Sequence, residues 1–395
     1  MVHNARINQL EANSQMKKIL IVLVIFIALI FVFFLVKKKS VSPISQIIPK
    51  TNQKTSEQAQ SETGLKIPND FSAKIFSEKI TNARNLEFSP GGVLLVSQPS
   101  QGKITALPDK KTVISNLKNP HGFAFFGGKL YIAEETRVSV YNWDESEKKA
   151  TFEKKLFDLP KGARHTTRTI TFANDGKMYI SIGSSCDVCF EQSEQLASII
   201  VSNAQGEAPK VFAKGLRNAV FTAIDPKTQK LWSTEMGRDF LGDNLPPDEV
   251  NLIEQDKDYG WPVCYGDKIH DTVFDKRQLQ KNPCEETTAP QYQISAHSAP
   301  LGLAFVDSKE FPQDWQGDLL VSYHGSWNST TPKGYKIVRI KMKDGKPQGE
   351  EDFITGFLKD GQVEARPVDL IFDKEGSLFV SDDKSGTIFK IDKQN

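Results

Sequence analysis

Arginine, histidine and asparagine recur at six points along this chain: Arg84/Asn85, His121, His165/Arg168, Arg217/Asn218, His297 and Arg366. Brought to one place, such groups call for an anion, because like charges a few Å apart repel by on the order of several kcal/mol at the effective dielectric of a partly buried site. The expected ligand is a polycarboxylate or polyphosphate. Within the set, His165 in RHTTRTI is crowded by Arg164 and Arg168. An imidazole among cations holds a proton less readily, which suits a general base near neutral pH. Arg217-Asn218, in GLRN, pairs a fixed cation with a side-chain amide, the donors that an oxygen gaining negative charge requires. His324, in YHGSWN, ends an apolar run beside Gly325 and Trp327 and is expected at the same mouth. The acidic, turn-rich segment Glu235 to Asn251 offers carboxylates and turn carbonyls, the oxygens a hard cation such as calcium takes. It is not an EF-hand loop, since Val250 stands where the closing Glu would fall. Tyr259-Gly260-Trp261-Pro262 downstream reads as a structural turn.

What must position these groups is a set of repeats. Six short apolar β-type runs, Val93 to Ser97, Leu130 to Glu134, Met178 to Ile182, Leu231 to Glu235, Leu319 to Tyr323 and Leu378 to Asp382, are mostly preceded by tight turns such as SPGG, FGGK, NDGK and DKEG. Before each turn lies another apolar strand, with one of the polar points at its mouth. Strand–turn–strand units that leave both faces apolar until neighbours cover them are the signature of propeller blades. The reading is an all-β, six-bladed β-propeller in which the six mouths converge at one end of the axis. Asp70 to Phe76, DFSAKIF, alternates like a strand and is expected to complete the last blade. The longest gap, between the fourth and fifth runs, is expected to form rim loops that shape a cleft.

A net charge of +1 on 395 residues argues against nucleic acid, which calls for a basic face to neutralise phosphates. Ile19 to Val36 is an uninterrupted apolar run flanked by Lys17-Lys18 and Lys37-Lys38-Lys39, about long enough to span a bilayer as a helix. With no small-residue cleavage site after it, a retained signal anchor is expected. The expected organisation is a short cytoplasmic N-terminus at 1–18, a transmembrane helix at 19–36, a disordered linker at 37–64 rich in Ser, Gln, Thr and Lys, and the propeller at 65–395. The four cysteines, Cys186, Cys189, Cys264 and Cys284, all follow the anchor, which suits disulfides in an oxidising compartment and a catalytic domain on the periplasmic or extracellular side of the cell membrane. Cys186 with Cys189 and Cys264 with Cys284 is the favoured one of three pairings. A four-cysteine zinc site is the competitor, and the second pair lacks its short spacing.

The segments RHTTRTI, IGSSCDVC, GLRN, EMGRDFLGDNLPPDE, YGWPVC, HSAPLGLAF, YHGSWN, PKGYK and ARPVDL, in that order, resemble the glucose/sorbosone dehydrogenases, quinoproteins that carry pyrroloquinoline quinone on a six-bladed propeller. The resemblance spans about residues 65 to 395. It implies oxidation of a sugar or sugar aldehyde by hydride transfer to a calcium-bound quinone. It also implies roles by position: His165 as the base, Arg217 and Asn218 at the reactive quinone oxygens, and Arg366 on the cofactor carboxylates. His121 and His324 fall at the cofactor mouth. The carbonyls of Gly237 and Arg238 match the calcium ligands under the cofactor, while Glu249 and the Tyr259 carbonyl resemble a second calcium site. The alternative of a different class is a cofactor-free surface propeller acting as a binding or scaffold module.

Overall fold

The computed structural model describes residues 58–60 and 63–394. The expected anchor at 19–36 and nearly all of the linker lie outside the described residues. Among the described residues no helix is long and apolar enough to cross a membrane, and the helical elements are two short 3-10 turns in an otherwise all-β chain.

Six antiparallel sheets of four main strands form the blades. Their innermost strands are Leu86–Phe88, Phe123–Phe126, Arg168–Phe172, Thr222–Ile224, Pro300–Phe305 and Pro367–Phe372. Each contacts the innermost strands of both neighbours, so the ring closes. The six apolar runs are the second strands of their blades, Leu94–Gln98, Lys129–Glu134, Lys177–Ile182, Leu231–Glu235, Leu319–Tyr323 and Leu378–Asp382. All but the two-sided Lys129 and Lys177 positions of these strands are buried throughout, as expected of strands covered on both faces. Phe71–Ser77 pairs with Ile388–Lys393 as the outer strand of the sixth blade, so the first strand of the ring domain and the last belong to one sheet.

The core is divided accordingly. Six apolar clusters lie one at each blade-to-blade interface; Leu95 and Ile104 of the first blade, for example, pack on Phe123 and Leu130 of the second. Hydroxyls on the second strands add a polar stitch to the next blade. Ser181 Oγ donates to the Val220 carbonyl, Thr234 Oγ1 to Leu301, Ser322 Oγ to Val368 and Ser381 Oγ to Arg84. The carbonyls so engaged lie within a few residues of the inner-strand mouths, which fixes where the polar side chains of successive blades stand relative to one another.

The insertion between the fourth blade's third strand, Asp248–Ile253, and its fourth, Tyr292–Ile294, forms rim structure, including a small hairpin of Cys264–Tyr265 with Ile269–His270. Disulfides join Cys264 to Cys284 and Cys186 to Cys189, the favoured pairing, which removes the zinc reading.

Candidate active site

Five of the expected groups meet in one pocket. His165, Arg217, Asn218, Gly237 and His297 line a cavity of about 350 Å³ together with Asp248 and Trp327. His165 precedes the inner strand of the third blade and Asn218 that of the fourth. They approach closely because Gly183 lies between them: a Cβ there would fall 2.5 Å from His165 Cβ and 2.9 Å from Asn218 Oδ1.

The protonation of His165 follows from its partners. Ser184 Oγ donates to the Cys186 carbonyl at 2.6 Å and stands 2.8 Å from His165 Nδ1. A carbonyl only accepts, so the Ser184 proton is committed and Nδ1–H must be the donor to Ser184. The lone pair is left on Nε2, which has no donor among the described residues. Burial, then the charges of Arg217 and Arg164, push the imidazole down to about 3, so the ring is neutral at any physiological pH. Arg168, expected as one of the crowding cations, instead turns inward: fully buried, it donates to the carbonyls of Pro160, His165 and Thr167. It braces the segment that carries His165 and does not face the pocket.

The expected uncompensated basic cluster is corrected by the structure. Arg217 donates through Nη2 to Asp187 Oδ1 at 2.7 Å and to Asp239 Oδ2 at 3.2 Å. Arg164 pairs with Asp239 at 2.7 Å and Arg84 with Asp383 at 2.8 Å. Each cation enters a low-dielectric mouth with a carboxylate, as burial of charge demands. Deeper on the axis, a channel of about 240 Å³ lined by all six inner strands holds Glu87 and Asp369. Burial and the nearby Asp369 raise Glu87 to about 8.

His324, Arg366 and His121 form a second group beside the pocket. His324 Nε2 lies 2.9 Å from Asp383 Oδ1 and its Nδ1 is 3.4 Å from Arg366 Nη1. Arg366 has no carboxylate partner among the described residues, sits over the Tyr335 ring at 5.3 Å and reaches the Ser326 carbonyl on the pocket wall. His121 is 1% exposed, with Nδ1 at 3.1 Å from Thr169 Oγ1 and Nε2 accepting from Arg84 Nε. Both of its nitrogens are therefore engaged within the protein.

Gly237, Arg238, Glu249 and Tyr259 line a single cavity of about 30 Å³, with Glu235 as a further wall. Glu235 and Glu249 are cross-strand partners, both buried. Burial, then Glu249, raises Glu235 far above the ordinary carboxylate range, and burial takes Glu249 to about 7. The carbonyls of Gly237, Arg238 and Tyr259 accept no hydrogen bond among the described residues, while Glu235 accepts from Asn218 N–H and Glu249 from Gly266 N–H and Asn251 Nδ2. Two carboxylates and three open carbonyls around one small cavity are the oxygen donors a hard cation takes. The Arg238 guanidinium pairs with Asp271, 2.6 Å from Nε, and both residues line the same cavity.

Sequence reasoning did not assign Ser184, Asp187, Asp239 or Asp383. Asp187 is inside the CDVC segment, which was read for its cysteines alone, and Asp239 inside the acidic segment read for calcium. No local signal could have found these pairings, since Asp187 lies 30 residues from Arg217, and Asp383 lies 299 from Arg84.

A six-bladed propeller with a neutral, oriented imidazole and a paired guanidinium at the mouth of its axis defines the class. The chain belongs to the TrAA12-like family, whose model matches residues 65–394. It is 30% identical over 347 residues to an uncharacterised protein of Borreliella burgdorferi, covering 83% of this chain and 90% of that one. To the pyrroloquinoline quinone-dependent sugar dehydrogenase of Hypocrea jecorina it is 23% identical over 387 residues, covering 80% and 86%. A calcium structure of the Trichoderma reesei carbohydrate-active enzyme of family AA12 superposes with a TM-score of 0.73 at 20% identity, over 86% of this chain and all of the other, a likeness of fold.

Proposed function

We propose that the protein is a sugar dehydrogenase that uses pyrroloquinoline quinone and calcium, acting on an aldose or a sugar aldehyde of the sorbosone kind. The observation that carries this reading is the orientation of His165, with Nε2 free, neutral and facing a pocket it shares with Arg217 and Asn218. Membership of the family and similarity to a quinone-dependent sugar dehydrogenase support it.

In this reading the 350 Å³ pocket takes the substrate. Nε2 of His165 accepts the proton of the hydroxyl on the carbon being oxidised, and Ser184 holds the ring while it does so. The exposed Trp327 and Phe240 rings, 5.9 Å apart, form an apolar wall for the C–H face of a sugar. Arg217 and Asn218 present donors toward an oxygen that gains charge. Arg366, which has no carboxylate partner among the described residues, is the group that would hold a cofactor carboxylate, with His324 and His121 behind it. Gly237, Arg238, Glu249 and Tyr259 would hold calcium. Bound there, the quinone with its calcium would supply a two-electron, hydride-accepting centre. The electron acceptor that follows is external. We propose further that Ile19 to Val36 anchor the chain with the propeller outside, in keeping with its two disulfides.

The test is to add pyrroloquinoline quinone and calcium to purified cofactor-free protein, then to follow bound-quinone absorbance and dye reduction with aldoses, osones and polyols. Uptake with sugar-dependent reduction is expected. Protein that takes up no quinone, or takes it up and reduces no dye with any of these, returns the chain to the binding-propeller alternative.

A further inference from the structure

The four-residue loop Cys186–Cys189 is closed by a disulfide between its ends, and the residue inside it grips Arg217 at two points. The Asp187 carbonyl accepts Arg217 Nε at 2.9 Å, and its Oδ1 accepts Arg217 Nη2 at 2.7 Å. Asp187 is itself held: Asp239 N–H donates to Oδ1 at 2.9 Å, and Trp261 Nε1 to the carbonyl at 3.2 Å. Next to the loop, Glu191 accepts from both the backbone and the hydroxyl of Ser185. The other bonds of the guanidinium, to Met236 O at 3.3 Å and Asp239 Oδ2 at 3.2 Å, are longer. The two shortest contacts that aim Arg217 therefore come from one residue on a covalently closed turn.

We propose that Asp187 is the positioning residue for Arg217 and that the Cys186–Cys189 disulfide is what keeps it in place. With the ring of the loop closed, Asp187 cannot swing away without carrying both sulfurs with it. Opened, the segment regains backbone freedom that competes with the hydrogen bonds holding Arg217. The two cysteines are partly exposed, whereas Cys264 and Cys284 are buried, so a reductant reaches this disulfide first. The consequence for turnover rests on the reading of Arg217 given above; the hold of Asp187 on the guanidinium does not.

The experiment uses the full chain without cofactor. Dithiothreitol breaks the Cys186–Cys189 bond, each sulfur leaving as a thiol, while the dithiol is oxidised to its cyclic disulfide; peptide mapping confirms that Cys264–Cys284 stays intact. The readout is the rate at which hydroxyphenylglyoxal modifies Arg217, followed by mass spectrometry. Reduction and Asp187→Ala should each raise this rate by roughly ten- to a hundredfold, the scale of a lost charge-assisted hydrogen bond. Applied together they should fall well short of the product of the two, since both act through the hold of one residue. Asp187→Asn, which keeps a neutral side-chain acceptor for Arg217 Nη2, should fall between, and reoxidation should restore protection. An unchanged rate on reduction, or effects that multiply as independent events, overturns the proposal. In the quinone-loaded enzyme the same two changes should lower kcat with little change in KM. If the modification pattern appears but wild-type protein turns over no sugar, the positioning role stands and the dehydrogenase reading falls.

Discussion

Glu235 and Glu249 stand directly opposite each other on neighbouring strands of the fourth blade, both buried, beside a cavity large enough for one ion. Two like charges in that position are destabilising unless a proton or a cation lies between them. Without a cation, Glu249 carries a proton more readily in the folded protein, at about 7, than in the unfolded chain, at 4.5. The folded state then binds more protons across that window, so the stability this proton confers is lost as pH rises through about 7.

Calcium should abolish that loss. At pH 7.5, calcium at a hundred times its Kd should add about 2.7 kcal/mol, and a chelator should remove it. Glu249→Gln should remove the calcium response. Calorimetric midpoints that are the same with calcium and with chelator would exclude a cation from this cavity.

His165→Ala should retain cofactor uptake and lose about 10²- to 10⁴-fold in kcat, the usual cost of a positioned base. Arg366→Ala should weaken uptake first, because its guanidinium reaches the pocket wall and has no carboxylate partner among the described residues. Steady-state kinetics and quinone titration of both variants separate the two roles; equal turnover in His165→Ala and wild type would remove His165 from the chemistry.

The depressed His165 has a signature of its own. Its folded value, about 3, lies below the ordinary 6.5, so between these values the unfolded chain binds more protons and stability falls as pH drops below about 6.5. His165→Asn should flatten this part of the stability curve. In wild type, kcat/KM should show no acidic limb near pH 6.5, and a limb there that vanishes in no other variant would contradict the neutral-ring assignment.

Gly183→Ala tests the packing of the pair. A methyl 2.5 Å from His165 Cβ must move the base or Asn218, so turnover should fall by more than about tenfold while the fold loses on the order of 1–3 kcal/mol. Wild-type kcat with unchanged thermal stability would show that the two residues have room to spare.

Topology is checked in cells. Protease added to intact cells or spheroplasts should remove the propeller from an anchor at 19–36, and full protection of the domain would reverse the orientation.

The repeats were legible because burial on both faces of each blade writes the same apolar run six times, and the closing strand Phe71–Ser77 announced itself by alternation. His165, Arg217 and Asn218 were legible as chemistry because each stands at the mouth of an inner strand, a position the repeat defines. The favoured cysteine pairing, one of three possible, is the one the structure shows. Left undecided by the sequence was charge balance. Arg84 and Asp383 are almost the whole folded chain apart in sequence yet lie 2.8 Å apart, because the first and sixth blades become neighbours on ring closure. Arg217 meets Asp187 across two blades in the same way. Even the direction of a neighbour one turn away escaped: Arg168, three residues from His165, points inward to backbone carbonyls, whereas Arg164 faces the pocket. Residue type and spacing determined which groups arrive at the mouth of the propeller. Only the tertiary structure decided which carboxylate each cation meets, which nitrogen of His165 is bare and which glutamates face each other, since those depend on contacts between blades and on pairing within a blade that no local pattern records.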